Sequence, residues 1–248
     1  LKKLRNDALI NKTFLKLYKA FCPGPITFIL NKNPKSKISK AANCGKKTVA
    51  IRIPKHKVVR KLLNILNVPL AAPSANISSK LSPTSVSDVI DEFGKKIKFI
   101  LDGGQCKIGL ESTIIDLTNA PTILRQGVIT QERIEKILKR KVNFIKNTNI
   151  IKGPGQLKLH YSPGIPIFMN KKTAKKGGAF ISFGKKFKND KNSFNLSKNN
   201  KLEEAANNLY KTMRKIKNKK FKSISIAKIP NIGIGRAIND RLVKASSK

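Results

Sequence analysis

GLESTIIDLTNAPTILRQGVITQERIEKIL, residues 109 to 138, decides the fold. After Gly109 the run Thr113 to Leu117 is apolar and rich in β-branched residues, which suits a core strand. Asn119-Ala120-Pro121 turns the chain into a second such run, Thr122 to Leu124. Thr130 then stands where a helix cap belongs, and a helix is expected through Leu138.

The same alternation continues upstream. Lys98 to Leu101 reads as a strand running into Asp102-Gly103-Gly104, and before it Thr84 or Ser85 caps a helix containing Val86, Val89, Ile90 and Phe93. A short strand at Leu70-Ala71-Ala72 precedes Pro73-Ser74-Ala75-Asn76, and Val58 to Leu66 has apolar positions at helical spacing. Further back lie a strand at Val49 to Ile53, a polar loop at Asn31 to Lys47, a strand at Ile26 to Leu30 and a helix at Lys12 to Ala20. Strands and helices in alternation make the fold class α/β.

Downstream, Gly and Pro crowd Ile150 to Pro166 and mark a boundary. Beyond it come a strand at Ala179 to Phe183, a helix at Leu202 to Met213, a strand at Ser223 to Ala227 and a helix at Gly235 to Lys244. Between the first two, Lys185 to Asn200 is expected to be a flexible basic loop. The expected organisation is a catalytic domain over 1–149, a connector over 150–166 and a small α/β domain over 167–248.

Fifty-three Lys and Arg oppose thirteen Asp and Glu, giving a net charge of +40 and a field attractive to polyanions. Solvated surface lysines and compositional drift toward Lys and Asn account for the same excess. No apolar stretch approaches the about 20 residues that cross a bilayer, so no membrane partner and a cytoplasmic location are expected. Cys22, Cys44 and Cys106 lack metal-binding spacing, and His56 and His160 are the only histidines, so no metal site is expected.

Four constellations carry candidate chemistry. Ser74 and Asn76, where a strand emerges, offer donors and acceptors around an alanine too small to block access. A polar turn stabilised by its own side chains fits the same residues. Asp102-Gly103-Gly104 and Gly109-Leu110-Glu111-Ser112-Thr113 bring backbone amides and hydroxyls within reach of an anion, although neither is a Walker A loop. Arg52 and Arg125 end strands, where a guanidinium fork binds phosphate or carboxylate, or pairs with a surface acid. His160-Tyr161 sits between Gly153-Pro154-Gly155 and Pro163, as a strap folding over a ligand or simply joining two domains. No nucleophilic Cys–His or Ser–His arrangement emerges, so covalent catalysis is not expected.

In order, Phe21-Cys22-Pro23-Gly24-Pro25-Ile26-Thr27, Ala50-Ile51-Arg52-Ile53-Pro54, Ala72-Pro73-Ser74-Ala75-Asn76-Ile77-Ser78 and Ser82-Pro83-Thr84 lead this set of blocks. Leu101-Asp102-Gly103-Gly104, Gly109 to Asp116 and Leu124-Arg125-Gln126-Gly127 complete it. Together they resemble the YrdC-like domain of the threonylcarbamoyl-AMP synthases. The connector and Asp240-Arg241-Leu242-Val243-Lys244-Ala245 resemble the long, two-domain form.

The resemblance implies a twisted YrdC-like sheet with flanking helices, incomplete at its N-terminal side, and a small Rossmann-like C-terminal domain. It implies a nucleotidyltransferase that converts L-threonine, bicarbonate or CO2 and ATP, with magnesium, into L-threonylcarbamoyladenylate and pyrophosphate. Transfer proteins would then modify adenosine 37 of tRNAs reading codons that begin with A. Ser74 and Asn76 would contact nucleotide and substrate, Ser112 and Arg125 the adenylate, and Arg52 the same wall, under a cover of His160 and Tyr161. The family has Pro in place of Gln126, and its opening Pro-Thr-Glu-Thr-Val-Tyr-Gly-Leu segment and Lys-x-Arg pair have no counterpart here. Little or no synthase activity is therefore expected of residues 1–248 alone. A noncatalytic remnant that binds RNA or nucleotide is the alternative.

Overall fold

The computed structural model describes residues 1–145, 160–187 and 190–246. The chain opens with helices α1 (Lys2–Asp7) and α2 (Lys12–Phe21), strands β1 (Ile26–Asn31) and β2 (Thr48–Arg52), and helices α3 (Lys57–Leu66) and α4 (Val86–Phe93). Then follow β3 (Thr113–Asp116), β4 (Thr122–Arg125), α5 (Gln131–Leu138) and β5 (Asn143–Phe144). The last elements are β6 (Ile167–Phe168), β7 (Ala179–Ser182), β8 (Ser193–Asn195), α6 (Leu202–Asn218), β9 (Ile224–Ile226) and α7 (Gly235–Ser246).

These elements form two compact units, Leu1–Ala72 with Glu111–Gln156, and Pro73–Leu110 with Leu157–Lys248. The expected domains were drawn as consecutive spans, whereas the stretch from Pro73 to Leu110 groups with the C-terminal part of the chain. Residues 150–159 of the expected connector lie outside the described residues.

The first unit is built on a five-stranded sheet in the order β2-β1-β3-β4-β5. Strand β1 runs antiparallel to β2 and parallel to β3, while β3 and β4 are antiparallel. Helix α2 is anchored at its start by Asn11, whose carboxamide oxygen accepts from the Phe14 amide at 2.8 Å and whose nitrogen donates to the Leu117 carbonyl at 2.8 Å. Its buried residues Phe14, Leu17 and Phe21 recur at helical spacing, and Phe14 meets Phe28 of β1 edge to face at 4.9 Å. Ile134 and Leu138 of α5 complete that core. Burial at its edge pushes the Cys22 thiol up to about 11.

The second unit contains a four-stranded, wholly parallel sheet in the order β6-β9-β7-β8. Every residue of β7 and β9 is buried, as expected of strands covered on both faces. Helix α6 buries Ala205, Ala206, Leu209, Tyr210, Met213 and Ile216 along one stripe, and α7 buries Ala237, Ile238, Leu242 and Ala245. An all-parallel sheet whose β8 and β9 are joined through α6, with α7 following β9, meets the expectation of a small Rossmann-like domain.

Four sequence expectations need correction. Leu70-Ala71-Ala72 and Lys98 to Leu101 form no strand, and no strand among the described residues pairs with either. Apolar and β-prone residues are not enough without a ladder partner: Phe99 stands 88% exposed and Leu101 65%. The expected loop at Lys185 to Asn200 contains β8, which adds in parallel to β7, with Phe194 packed edge-on to Phe221. Thr130 does precede α5, but its hydroxyl makes no cap hydrogen bond.

Candidate functional site

In the first unit, the candidate residues form a row across one end of the sheet. Arg52 of β2 pairs in register with Thr27 of β1, Thr27 with Ile114 of β3, and Ile114 with Arg125 of β4. A register shift between Ile114 and Ile115 bends the ladder at this point. Arg125 is 7% exposed; its Nε donates to the Ser112 carbonyl at 3.0 Å and its Nη2 to the Ser112 hydroxyl at 3.1 Å. That hydroxyl also lies 2.7 Å from the Thr27 hydroxyl, so three side chains from three strands or their ends share one hydrogen-bonded cluster. Arg52, by contrast, is exposed.

Gly127 makes this wall possible. A Cβ there would stand 2.5 Å from the Thr113 nitrogen, 2.6 Å from the Glu111 oxygen and 2.8 Å from the Ser112 carbonyl carbon, all backbone atoms. The chain after Arg125 can therefore lie against Glu111 to Thr113 only without a side chain. The Thr113 hydroxyl closes the arrangement by donating to the Ile129 carbonyl at 2.6 Å.

In the second unit, the Ser74–Asn76 turn separates its two candidates. Ser74 is exposed, whereas Asn76 is 8% exposed. The Asn76 side-chain nitrogen faces two carbonyls, Ile77 at 2.9 Å and Lys80 at 3.2 Å, which fixes the orientation of the amide. Among the described residues its Oδ1 is buried with no hydrogen-bond partner. The sequence offered this residue as both donor and acceptor; the fold consumes its donors and leaves one acceptor.

The His160–Tyr161 strap meets the same turn. The Ser162 amide donates to the Ser79 carbonyl at 2.8 Å, and Lys80 bridges Ser162 in parallel. Tyr161 adopts a left-handed φ of 62° and is buried, with its ring 4.0 Å from that of His160 and 5.8 Å from that of Tyr210 on α6. The guanidinium of the buried Arg241 of α7 lies 5.3 Å from the Tyr161 ring centroid, and the His160 amide donates to the Lys244 carbonyl at 3.2 Å. Ser74, Asn76, His160 and Tyr161 thus belong to one unit, and Arg52, Ser112 and Arg125 to the other.

The Asp102-Gly103-Gly104 turn is not an open anion nest, because the Asp102 carboxylate accepts from the Gly104 amide at 2.7 Å. Among the described residues no group of three His, Cys, Asp or Glu side chains is placed to hold a metal ion. No helix among them is long and apolar enough to cross a membrane.

Comparison with known proteins fits this arrangement. The Sua5/YciO/YrdC family model, described as "Telomere recombination", matches residues 1–127, and the model described as "Threonylcarbamoyl-AMP synthase, C-terminal domain" matches 129–247. A threonylcarbamoyl-AMP synthase of Pyrococcus abyssi is 35% identical, over 93% of this chain and 72% of its own length. The chain belongs to the threonylcarbamoyl-AMP synthase family. The Bacillus subtilis synthase is 32% identical over 93% of the chain and 72% of its own length.

The crystal structure of P. abyssi Sua5 complexed with L-threonine superposes with a TM-score of 0.88 at 32% identity, covering 99% of this chain and 77% of that one. A variant of that protein with an adjacent histidine and tyrosine changed to alanine superposes at 0.86. As a threonylcarbamoyl-AMP synthase family member, the chain is an enzyme of the nucleotidyl-transfer type with the two-part α/β architecture of its relatives.

Sequence reading missed several residues that build the site. Thr27 stood inside a quoted block without a role, and its hydroxyl position next to Ser112 is set by the β1–β3 register. Arg241 likewise stood in the quoted C-terminal block without a role and Tyr210 carries no local signal; what recommends both is contact with Tyr161. Asp88 and Glu92 did have one: with Asp91, they put three of the thirteen acidic residues of the chain into the eight residues of α4.

Proposed function

We propose that this chain forms L-threonylcarbamoyladenylate and pyrophosphate from L-threonine, bicarbonate or CO2 and ATP, in the cytoplasm. Residues 1–149 would carry the site, 150–166 a connector and 167–248 the smaller domain. The observation that carries the reading is Asn76 Oδ1, a buried acceptor with no partner among the described residues, in a region matched by the family model. A buried acceptor left unpaired by the protein is costly and is met by a donor from ordered water or a bound molecule. The threonine ammonium and a ribose hydroxyl are both donors of the required kind.

The chemistry asks for positioning rather than a protein nucleophile. The threonine amine meets CO2 or bicarbonate to give a carbamate; the carbamate oxygen attacks the α-phosphorus of ATP in line, and the bond to pyrophosphate breaks. Arg125, held by Ser112, would place a fixed positive charge beside the adenylate as negative charge develops there. Arg52 in the first unit and Ser74 in the second are exposed, and each would be open to a bound molecule. Magnesium would enter with ATP, bound by its phosphates and compensating their charge.

His160 and Tyr161 would cover the bound substrates. The Pyrococcus variant alters an adjacent histidine and tyrosine, and 160–161 is the one His-Tyr pair in this chain. The product would pass to threonylcarbamoyl-transfer proteins acting on tRNA.

The test is pyrophosphate release measured with each substrate omitted in turn. Release that requires ATP, threonine and bicarbonate together is the expected result, and it would overturn the sequence expectation of little or no activity in residues 1–248 alone. Salt-sensitive tRNA binding with no release under any condition would put the noncatalytic reading in its place.

A further inference from the structure

The turn that carries Ser74 and Asn76 is held by α4 and by one arginine of α6. The Glu92 carboxylate accepts from the Ile77 amide at 3.2 Å, fixing the residue directly after Asn76. The Asp88 carboxylate accepts from the Thr84 amide at 2.7 Å, the Thr84 hydroxyl at 3.0 Å and the Ser85 amide at 3.2 Å, while the Ser85 hydroxyl caps α4 by accepting from the Asp88 amide. Both carboxylates converge on Arg214. Its Nε lies 3.2 Å from Asp88, its Nη1 3.9 Å from Glu92, and its Nη2 donates to the Leu81 carbonyl at 3.2 Å.

We propose that Arg214 is a positioning residue for the substrate turn, through which the C-terminal module of the family holds the Ser74–Asn76 segment in its binding geometry. The proposal rests on the functional reading above for what the turn binds. Three nitrogens of one planar fork meet three acceptors in the stretch from Leu81 to Glu92, a geometry a point charge cannot reproduce. Side chains of all three charged residues are nearly buried, where the charges are screened weakly. Arg214 lies in the part matched by the C-terminal family model, and the turn in the part matched by the first. Gly109 reinforces the junction: at φ +73° it lies so close to α6 that a Cβ would meet the Asn207 Cα at 2.5 Å. A role therefore follows for the additional module. It stiffens a segment that contributes no strand to either sheet.

The discriminating variants are R214K, E92A and E92Q, read by amide hydrogen exchange and by calorimetric binding of ATP and of L-threonine. R214K should speed exchange of the Ile77 and Thr84 amides about tenfold while β7 amides stay protected. E92A removes the acceptor for Ile77 and should speed its exchange about tenfold, weakening the ligand held at the turn by a similar factor. E92Q keeps an acceptor oxygen but loses the charge, and should restore protection and affinity most of the way. Equal behaviour of E92A and E92Q in a folded protein would overturn the proposal, as would native exchange at Ile77 and Thr84 in R214K. If R214K fails to fold, the Glu92 pair decides. A wild-type chain that binds neither ATP nor threonine would remove the functional reading alone, since exchange still reports on the latch.

Discussion

Two stretches, one in each compact unit, position their polar residues in opposite ways. Around Ser112 and Arg125, functional groups and scaffold are the same object: strands β1, β3 and β4 set the register, and the guanidinium bonds to the backbone and hydroxyl of one neighbour. Between Pro73 and Leu110 there is no strand, and position comes from side chains, with Asp88, Glu92 and Arg214 holding amides that a ladder would otherwise have paired. A sheet-borne wall is sensitive to what its backbone can accommodate. A side-chain-borne loop is sensitive to which acceptors and charges are present.

The largest effect should come from a methyl group at Gly127. Its Cβ would collide at 2.5 to 2.8 Å with three backbone atoms of Glu111 to Thr113, and these belong to or border β3 and cannot withdraw without parting the sheet. Gly127→Ala should cost about 3 kcal/mol or more in urea unfolding and abolish ligand binding with it. Gly104→Ala in the loop region meets open space, and only its φ of +75° is penalised. It should cost about 1 kcal/mol, the strain of a left-handed side-chain residue. Should the two substitutions prove equally mild, the distinction between the wall and the loop would fail.

The sheet-borne half was the more legible in the sequence. A run such as Thr113 to Leu117 states its own conformation, and a neighbouring Ser112 or Arg125 inherits a place at the strand end from it. Asn76 was legible as a polar residue at a turn but not in its final chemistry, because the two carbonyls that consume its donors come from the path of the chain through Lys80. Leu70 to Ala72 and Lys98 to Leu101 show the limit of local preference: composition reports that a segment suits a strand, while pairing requires a partner that composition does not name. Arg214 was hidden for a different reason. In a helix that also carries Lys211, Lys215, Lys217 and, just beyond its end, Lys219, nothing in the string separates the one cation that is nearly buried.

The smallest effect is expected at Phe99, and it probes the loop region most directly. In the core of the first unit, Phe28 is fully buried against Phe14, so its apolar area is withdrawn from water on folding. Phe99 belongs to a segment of equally strand-like composition but is 88% exposed, leaving almost no buried area to lose. Phe99→Ser should therefore change unfolding free energy by no more than about 0.5 kcal/mol, whereas Phe28→Ala should cost about 3 to 5 kcal/mol. A loss above about 1 kcal/mol for Phe99→Ser, with an unfolding slope like wild type, would mean that Lys98 to Leu101 packs in solution. The loop region would then owe part of its order to apolar burial, and the contrast with the sheet-borne wall would narrow to the charged latch at Asp88, Glu92 and Arg214.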